Sequence, residues 1–370
     1  MLTTVLVASR TIRVPAGAKG AAVHGPPRPA YIAAPLIAVL MLALTLWAGE
    51  KYGMGLRDPD GIIPRRLGLL LGIVVVFWVL DVFPRSIREA HRSSRSLFEC
   101  ISQTARERWS LRRIGLVLGL IVTFYVTYLC YRNVKSYLPL ARPELFDSQL
   151  LELERRAFGQ DPAIFLHDLL GTGIAAHVLS TVYLLFLTFV PISVGFSLVW
   201  STNLAGGLWW VSVLSINWVL GTVSYFLIPS MGPVFAAPEL FTALPETATS
   251  GLQQTLLQHR EAFLRSPVGS GGLQSIAAFA SLHVAIVFSG ALVAQLLQIA
   301  RLVRIALWVF FGLTVLATVY FGWHYVVDDV AGLAIGLLAV YAGARLTGWR
   351  IEWKGGARRP LPLQGVSPPG

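Results

Sequence analysis

Long apolar runs dominate the pattern of hydrophobic and polar positions along this chain of 370 residues. Eight of them are nearly free of charge, at residues 31–49, 67–83, 114–131, 175–195, 206–228, 282–300, 303–323 and 326–346. A helix needs about 20 apolar residues to cross a bilayer, whereas a membrane β-strand would alternate apolar and polar positions. The pattern therefore predicts an all-α integral membrane protein, a polytopic helical bundle with about eight transmembrane spans and interfacial helices.

Three segments between the runs are too long to be simple turns. Residues 84–113 are basic and predict a surface helix against anionic lipid, and residues 132–173 mix acids with apolar positions and predict an amphipathic, interfacial segment. Residues 229–280 carry Gly and Pro near both ends, which favours a lid with a movable middle. We expect a disordered cytoplasmic tail at residues 1–30, a transmembrane domain at 31–346 with its catalytic core at 175–346, and a cytoplasmic C-terminal tail at 347–370.

Composition and charge exclude an ordinary soluble domain and suggest an orientation. Of the residues, 55% are hydrophobic and only 13% are charged, and the net charge is +11. Most basic residues fall on one side of an eight-span topology, which makes that side, with both termini, cytoplasmic. We expect no nucleic-acid partner, because anionic lipid headgroups account for the basic excess. The excess of Arg over Lys favours a bacterial source, and hence a multi-pass protein of the cell membrane.

Two histidines, His283 and His324, are the main candidate catalytic residues. Two crossings and a short turn separate His283 from His324, so both imidazoles should reach one face, the outer one. A histidine can attack phosphorus, Asp328 can orient it from four residues on, and His283 can act as general acid and base. Ser281 can donate to a phosphate oxygen or simply cap a helix. A metal site is not expected, because these residues lack a clear fourth ligand and a zinc spacing.

Two motifs around these histidines resemble a known family. The stretches FASLHVA at residues 279–285 and TVYFGWHYVVD at residues 318–328 resemble the second and third signature motifs of the type-2 phosphatidic acid phosphatase superfamily, in its branch similar to inositol phosphorylceramide synthases. The resemblance implies metal-independent and cofactor-free chemistry on lipids through a phosphohistidine-type intermediate. It implies that His324 is the nucleophile, Asp328 its partner and His283 the acid for the leaving group.

The basic residues that usually accompany these motifs are missing from their expected places. Thr318 stands where most phosphatases of the family have an Arg, and residues 225–235 contain no basic side chain. The phosphate charge must therefore be met elsewhere. The candidate substrate-binding residues are Ser281, Tyr325, Lys135, Arg260 and Arg265, with Arg132 and Arg142 as further candidates.

These observations lead to an expected function and two alternatives. We expect a lipid phosphotransferase at the extracytoplasmic face, similar to inositol phosphorylceramide synthases, that moves a phospho-head group between a lipid and an alcohol. Its substrate would be a phospholipid or a polyprenyl phosphate. The first alternative is a lipid phosphate or polyprenyl (pyro)phosphate phosphatase. The second is a proton-coupled lipid transporter or flippase, although the sequence lacks duplicated halves and matched helix interruptions.

Overall fold

The computed structural model describes residues 31–59, 61–93, 95–200, 204–352 and 356–358. The helices in this part of the chain are α1 (Ala33–Lys51), α2 (Ile62–Ser93), α3 (Leu97–Arg108), α4 (Leu111–Ser136), α5 (Leu138–Ala141), α6 (Asp147–Phe158), α7 (Pro162–Leu170), α8 (Ile174–Trp200), α9 (Ala205–Leu227), α10 (Pro233–Ala236), a 3₁₀ helix (Pro238–Phe241), α11 (Ala248–Arg265), α12 (Leu282–Leu296), α13 (Arg301–Tyr320) and α14 (Val326–Leu346). Strands β1 (Arg350–Glu352) and β2 (Gly356–Arg358) form a short antiparallel pair after them. The predicted tail at residues 1–30 and most of the predicted C-terminal tail lie outside the described residues.

The predicted all-α, polytopic fold class is confirmed. Seven of the described helices, α1, α2, α4, α8, α9, α13 and α14, are long and apolar enough to cross a membrane. The remaining predicted span, at residues 282–300, corresponds to α12, which is apolar but has only 15 residues. It ends at Leu296 rather than at residue 300, because Gln298 adopts a positive φ of 52° that a right-handed helix cannot accommodate.

Helix α9 lies at the centre of the bundle. Within its apolar span, 72% of the residues are buried, compared with 17% for α2 at the periphery. It packs against α1, α4, α8, α12 and α14, and its Trp209 and Trp218 side chains are buried in the main core. Large buried aromatic surfaces of this kind fix the helices that surround α9.

Helices α12 and α14 approach each other closely at their N-terminal ends. Gly332 and Gly336 of α14 face the backbone of α12, and a Cβ atom at Gly336 would lie 2.7 Å from the Ala285 carbonyl oxygen. The Ser281 N–H can therefore donate to the Asp328 carbonyl at 2.9 Å. This contact joins the two chain segments that carry His283 and His324.

The connecting segments are more ordered than the sequence pattern indicates. In the basic segment, α2 continues through Pro84 and a separate α3 folds back on it, because the buried Asp81 carboxylate accepts hydrogen bonds from Arg85 and Arg108. The predicted amphipathic segment at residues 132–173 contains α6 and α7. The middle of the predicted lid is the 18-residue helix α11, whose N-terminus is capped by Thr247.

Candidate active site

The two histidines lie next to each other at one end of the bundle, which we call the histidine end. His283 is in the first turn of α12 and His324 is in the turn between α13 and α14. Their ring centroids are 5.8 Å apart and the rings are tilted by 56°. A phosphorus atom between them would have one imidazole on each side, as a displacement with a nucleophile and a proton donor requires.

Asp328 lies beside His324, but the two residues do not lie on one helix, as their spacing of four residues predicted. Helix α14 begins at Val326, so His324 precedes the helix and only Asp328 belongs to it. The Asp328 carboxylate turns back towards the start of the helix and accepts a hydrogen bond from the Tyr325 N–H at 3.0 Å. This brings Oδ2 of Asp328 to 3.5 Å from Nδ1 of His324, which leaves Nε2 as the ring nitrogen turned away from the carboxylate.

His324 is a neutral imidazole at physiological pH. Its side chain is buried, and burial lowers its pKa to about 3, with a further contribution from the positive charge of Lys135. A contact with the backbone of Ala278 opposes this shift in part. A neutral ring can act as a nucleophile without first losing a proton.

Aromatic side chains of α8 contact the other histidine, His283. The His283 ring stacks on Tyr183, with centroids 4.7 Å apart, and contacts Phe186 at 4.3 Å. Tyr183 in turn stacks on Trp323, next to His324, at 5.0 Å and an angle of 3°. The His283 ring is only partly buried, so it keeps access to a bound molecule.

Lys135 is the basic residue that the structure brings to the histidines. Its ammonium group lies 4.7 Å from the Tyr225 ring centroid and 5.8 Å from that of Tyr131, and its charge acts on both imidazoles. Within the described part of the chain, no carboxylate lies within ion-pair distance of Lys135. A cation that faces two imidazoles in this way is suited to an anionic ligand.

The other basic candidates are farther from this arrangement. Arg260 is buried, donates to Gln274 at 3.4 Å and has a pKa that burial lowers. Gln274 also donates to the Lys135 carbonyl, so Arg260 is linked to the site indirectly. Arg265 is exposed and pairs with Glu261, while Arg142 donates to the Phe226 carbonyl. Arg132 is partly buried on α4.

Ser281 and Tyr325, the two uncharged candidates, are occupied by protein contacts. Ser281 is the N-cap of α12, where its hydroxyl accepts from the Val284 N–H, and it also bonds the Asp329 carboxylate. Tyr325 is fully buried and its hydroxyl donates to Asp147 at 2.9 Å. Asp329 is buried and accepts a hydrogen bond from the Thr318 hydroxyl at 3.0 Å.

Two acidic residues of α6 contact the turn after His324, and the sequence pattern does not single them out. Asp147 bonds Tyr325, and Glu154 accepts a hydrogen bond from the Val326 N–H. Both are buried. Their spacing of seven residues places them on one helix face, which is the only sequence signal for them, and acids at such positions usually face water.

The acidic and histidine side chains of the described residues do not form a recognisable metal site. Among the residues that the structure describes, no group of three or more His, Cys, Asp or Glu side chains could hold a metal ion. Asp328 accepts a hydrogen bond from the Tyr325 N–H and Asp147 accepts one from the Tyr325 hydroxyl, and imidazole and carboxylate groups are the side chains best suited to proton transfer.

Comparison with known proteins relates this site to a family. A family model described as the PAP2 superfamily matches residues 148–342, which is more than half of the chain. Members of this superfamily are typically phosphatases or phosphotransferases acting on lipid phosphates. No protein of curated function and no solved structure matches the chain. Because the matched region runs from α6 into α14 and includes both histidines and Asp328, the chain belongs to the PAP2 superfamily.

Proposed function

We propose that this protein is a metal-independent lipid phosphotransferase that works through a phosphohistidine-type intermediate, as inositol phosphorylceramide synthases do. The observation that carries the proposal is the neutral His324 imidazole, with the Asp328 carboxylate 3.5 Å from one nitrogen and the His283 ring 5.8 Å away. Membership of the PAP2 superfamily supports chemistry on lipid phosphates.

In the first step, Nε2 of His324 attacks phosphorus, and the bond from phosphorus to the leaving oxygen breaks. His283 gives its proton to that oxygen, and the negative phosphate favours the protonated form of His283 when the donor binds. Asp328 holds the proton on Nδ1 of His324 and stabilises the positive charge that develops on the ring.

In the second step, the acceptor alcohol gives its proton to His283 and attacks phosphorus, and the bond from phosphorus to Nε2 breaks. The enzyme returns to its starting state with no net change in protons. Water in place of the alcohol would make the same protein a phosphatase, so exclusion of water decides between the two reactions.

Incubation of the purified protein in detergent with a phospholipid labelled at phosphorus, with and without inositol or a long-chain lipid alcohol, tests the proposal. We expect a new labelled lipid that depends on the added alcohol. Release of inorganic phosphate alone would support the phosphatase alternative, and no reaction with any donor would contradict both.

We further propose that the histidine end faces the outside of the cell, because the basic residues concentrate at the opposite end of the topology. The same incubation with intact cells tests this, using an alcohol acceptor that does not cross the membrane. We expect the labelled product to form on whole cells as it does in detergent. A reaction that requires permeabilised cells would place the site on the cytoplasmic side.

Lys135 supplies the phosphate-binding charge in this proposal, in place of the basic residues missing from the motifs. Lys135→Met keeps the length of the side chain and removes the charge. A hydrogen bond to a charged group contributes about 1.5–3 kcal/mol, so we expect KM for the donor lipid to rise about tenfold to 100-fold. Steady-state kinetics with Arg265→Met as the control checks this, since Arg265 is exposed and pairs with Glu261. An unchanged KM in K135M would assign the phosphate to another cation.

A further inference from the structure

Helix α6 presents two buried carboxylates to the segment that links His324 to α14. Asp147 and Glu154 are only 6% and 4% exposed, whereas Glu152 on the opposite face is exposed and pairs with Arg156. Acidic side chains are seldom buried unless other groups compensate for the lost hydration. The compensating groups in this case are all at the histidine end.

Asp147 accepts hydrogen bonds from three donors, two on the backbone and one on a side chain. Its carboxylate accepts hydrogen bonds from the Met231 and Gly232 N–H groups, at 3.0 and 2.9 Å, and from the Tyr325 hydroxyl at 2.9 Å. Gly232 can present its N–H in this direction because it has a φ of +103° and lies against the Trp323 carbonyl, where a Cβ atom would not fit. Asp147 therefore joins the segment after α9 to the residue that follows His324.

Glu154 accepts a hydrogen bond from the first N–H group of α14. The first N–H groups of a helix need acceptors, which an N-cap side chain usually provides. Tyr325 at the N-cap cannot provide one to Val326, and Glu154 accepts from the Val326 N–H instead. An anion is also favoured at this position by the partial positive charge of the helix end.

We propose that Asp147 and Glu154 are positioning residues for the phosphoryl transfer, and this inference rests on the proposed function. They hold Tyr325 and Val326, which lie between the attacking His324 and its partner Asp328. The two carboxylates thus set the distance from the imidazole to the Asp328 carboxylate and the direction of Nε2. A misplacement of even about 1 Å at such a site lowers the rate strongly.

The charge of Glu154 is poised to change near neutral pH. Burial raises its pKa to about 7, the bond from the Val326 N–H opposes the shift, and the charges of Asp328 and Asp161 add to it. Asp329 and Tyr325 also act on it. Of the other elements packed on α6, α10 has no titratable group, and α7 carries His167, which contacts the Tyr320 carbonyl, and the exposed Asp168. Above this pKa the carboxylate is charged and binds the helix N-terminus well. As the pH falls through about 7 it is protonated, and we expect turnover to fall with it.

The test compares Glu154→Gln and Glu154→Ala with Glu152→Gln, a control on the exposed face of the same helix. Glu154→Gln keeps an oxygen that can accept from the Val326 N–H but cannot titrate, so its turnover should lose the fall near pH 7 that the wild type has. Glu154→Ala loses the bond, and we expect kcat to drop about tenfold with little change in KM, since the interaction aligns the reacting groups. Glu152→Gln should match the wild type in both respects.

The outcomes separate this inference from the proposed function. If the wild type is active and His324→Ala is inactive, but Glu154→Ala matches the Glu152→Gln control, then only the positioning role is wrong. If Glu154→Ala does not fold, the pH profile of Glu154→Gln decides, and a profile identical to that of the wild type overturns the inference. If the wild type transfers no phosphoryl group to any acceptor, the proposed function itself fails.

Discussion

His324→Ala is expected to abolish phosphoryl transfer, with a loss of about 10⁵-fold in kcat, as when the nucleophile of a cooperating catalytic set is removed. The reason is that the His324 imidazole is neutral and has the Asp328 carboxylate 3.5 Å from its Nδ1, with the His283 ring beside it. The measurement is the rate of release of label from a phosphorus-labelled donor lipid. Trapping of labelled protein in the wild type and its absence from the variant would identify the covalent step.

His177→Ala is the matched control for this prediction. His177 lies on α8 with its side chain exposed, so its loss removes an imidazole from the same protein without touching His283 or His324. We expect full activity for H177A and an unchanged unfolding temperature for both variants. Substantial transfer by a folded H324A protein would rule out His324 as the nucleophile.

His283→Ala is expected to lower kcat by about 10²- to 10⁴-fold with a natural lipid donor, which is the usual contribution of general acid–base catalysis. The effect should depend on the leaving group. A lipid alkoxide needs a proton when its bond to phosphorus breaks, whereas a nitrophenolate is stable without one. With a nitrophenyl phosphate ester as donor, we therefore expect a much smaller loss in the first step, measured as the burst of nitrophenolate.

An equal loss of activity with both donors would show that His283 does not act as the acid. The contacts of His283 make this test informative, because Tyr183 and Phe186 of α8 hold its ring from one side. The variant leaves these aromatic residues and His324 in place. A change in leaving-group dependence would then reflect proton transfer rather than rearrangement.

Several features of the fold follow from local sequence patterns. Apolar runs predicted the spanning helices because hydrophobicity over about 20 residues is a local property. The positions of His283 and His324 at the same end follow from counting crossings between them. Two other features did not follow from local patterns. A positive φ at Gln298 ends α12 earlier than the apolar run predicts, and the middle of the segment at residues 229–280 forms the helix α11, although the Gly and Pro near its ends predicted a movable loop.

The sequence by itself determined the fold class, the histidine pair and the acid that accompanies it, since these depend on run length and on residues close along the chain. Only the tertiary structure decided that Lys135 reaches the pair while Arg265 stays in solvent, and that Asp147 and Glu154 support the turn after His324. Lys135, Asp147 and Glu154 are more than a hundred positions along the chain from the two histidines. They meet the histidines only because α4 packs on α9, which packs on α12 and α14, and because α6 packs on α14, and such contacts between helices depend on the shape of the whole bundle rather than on any local pattern.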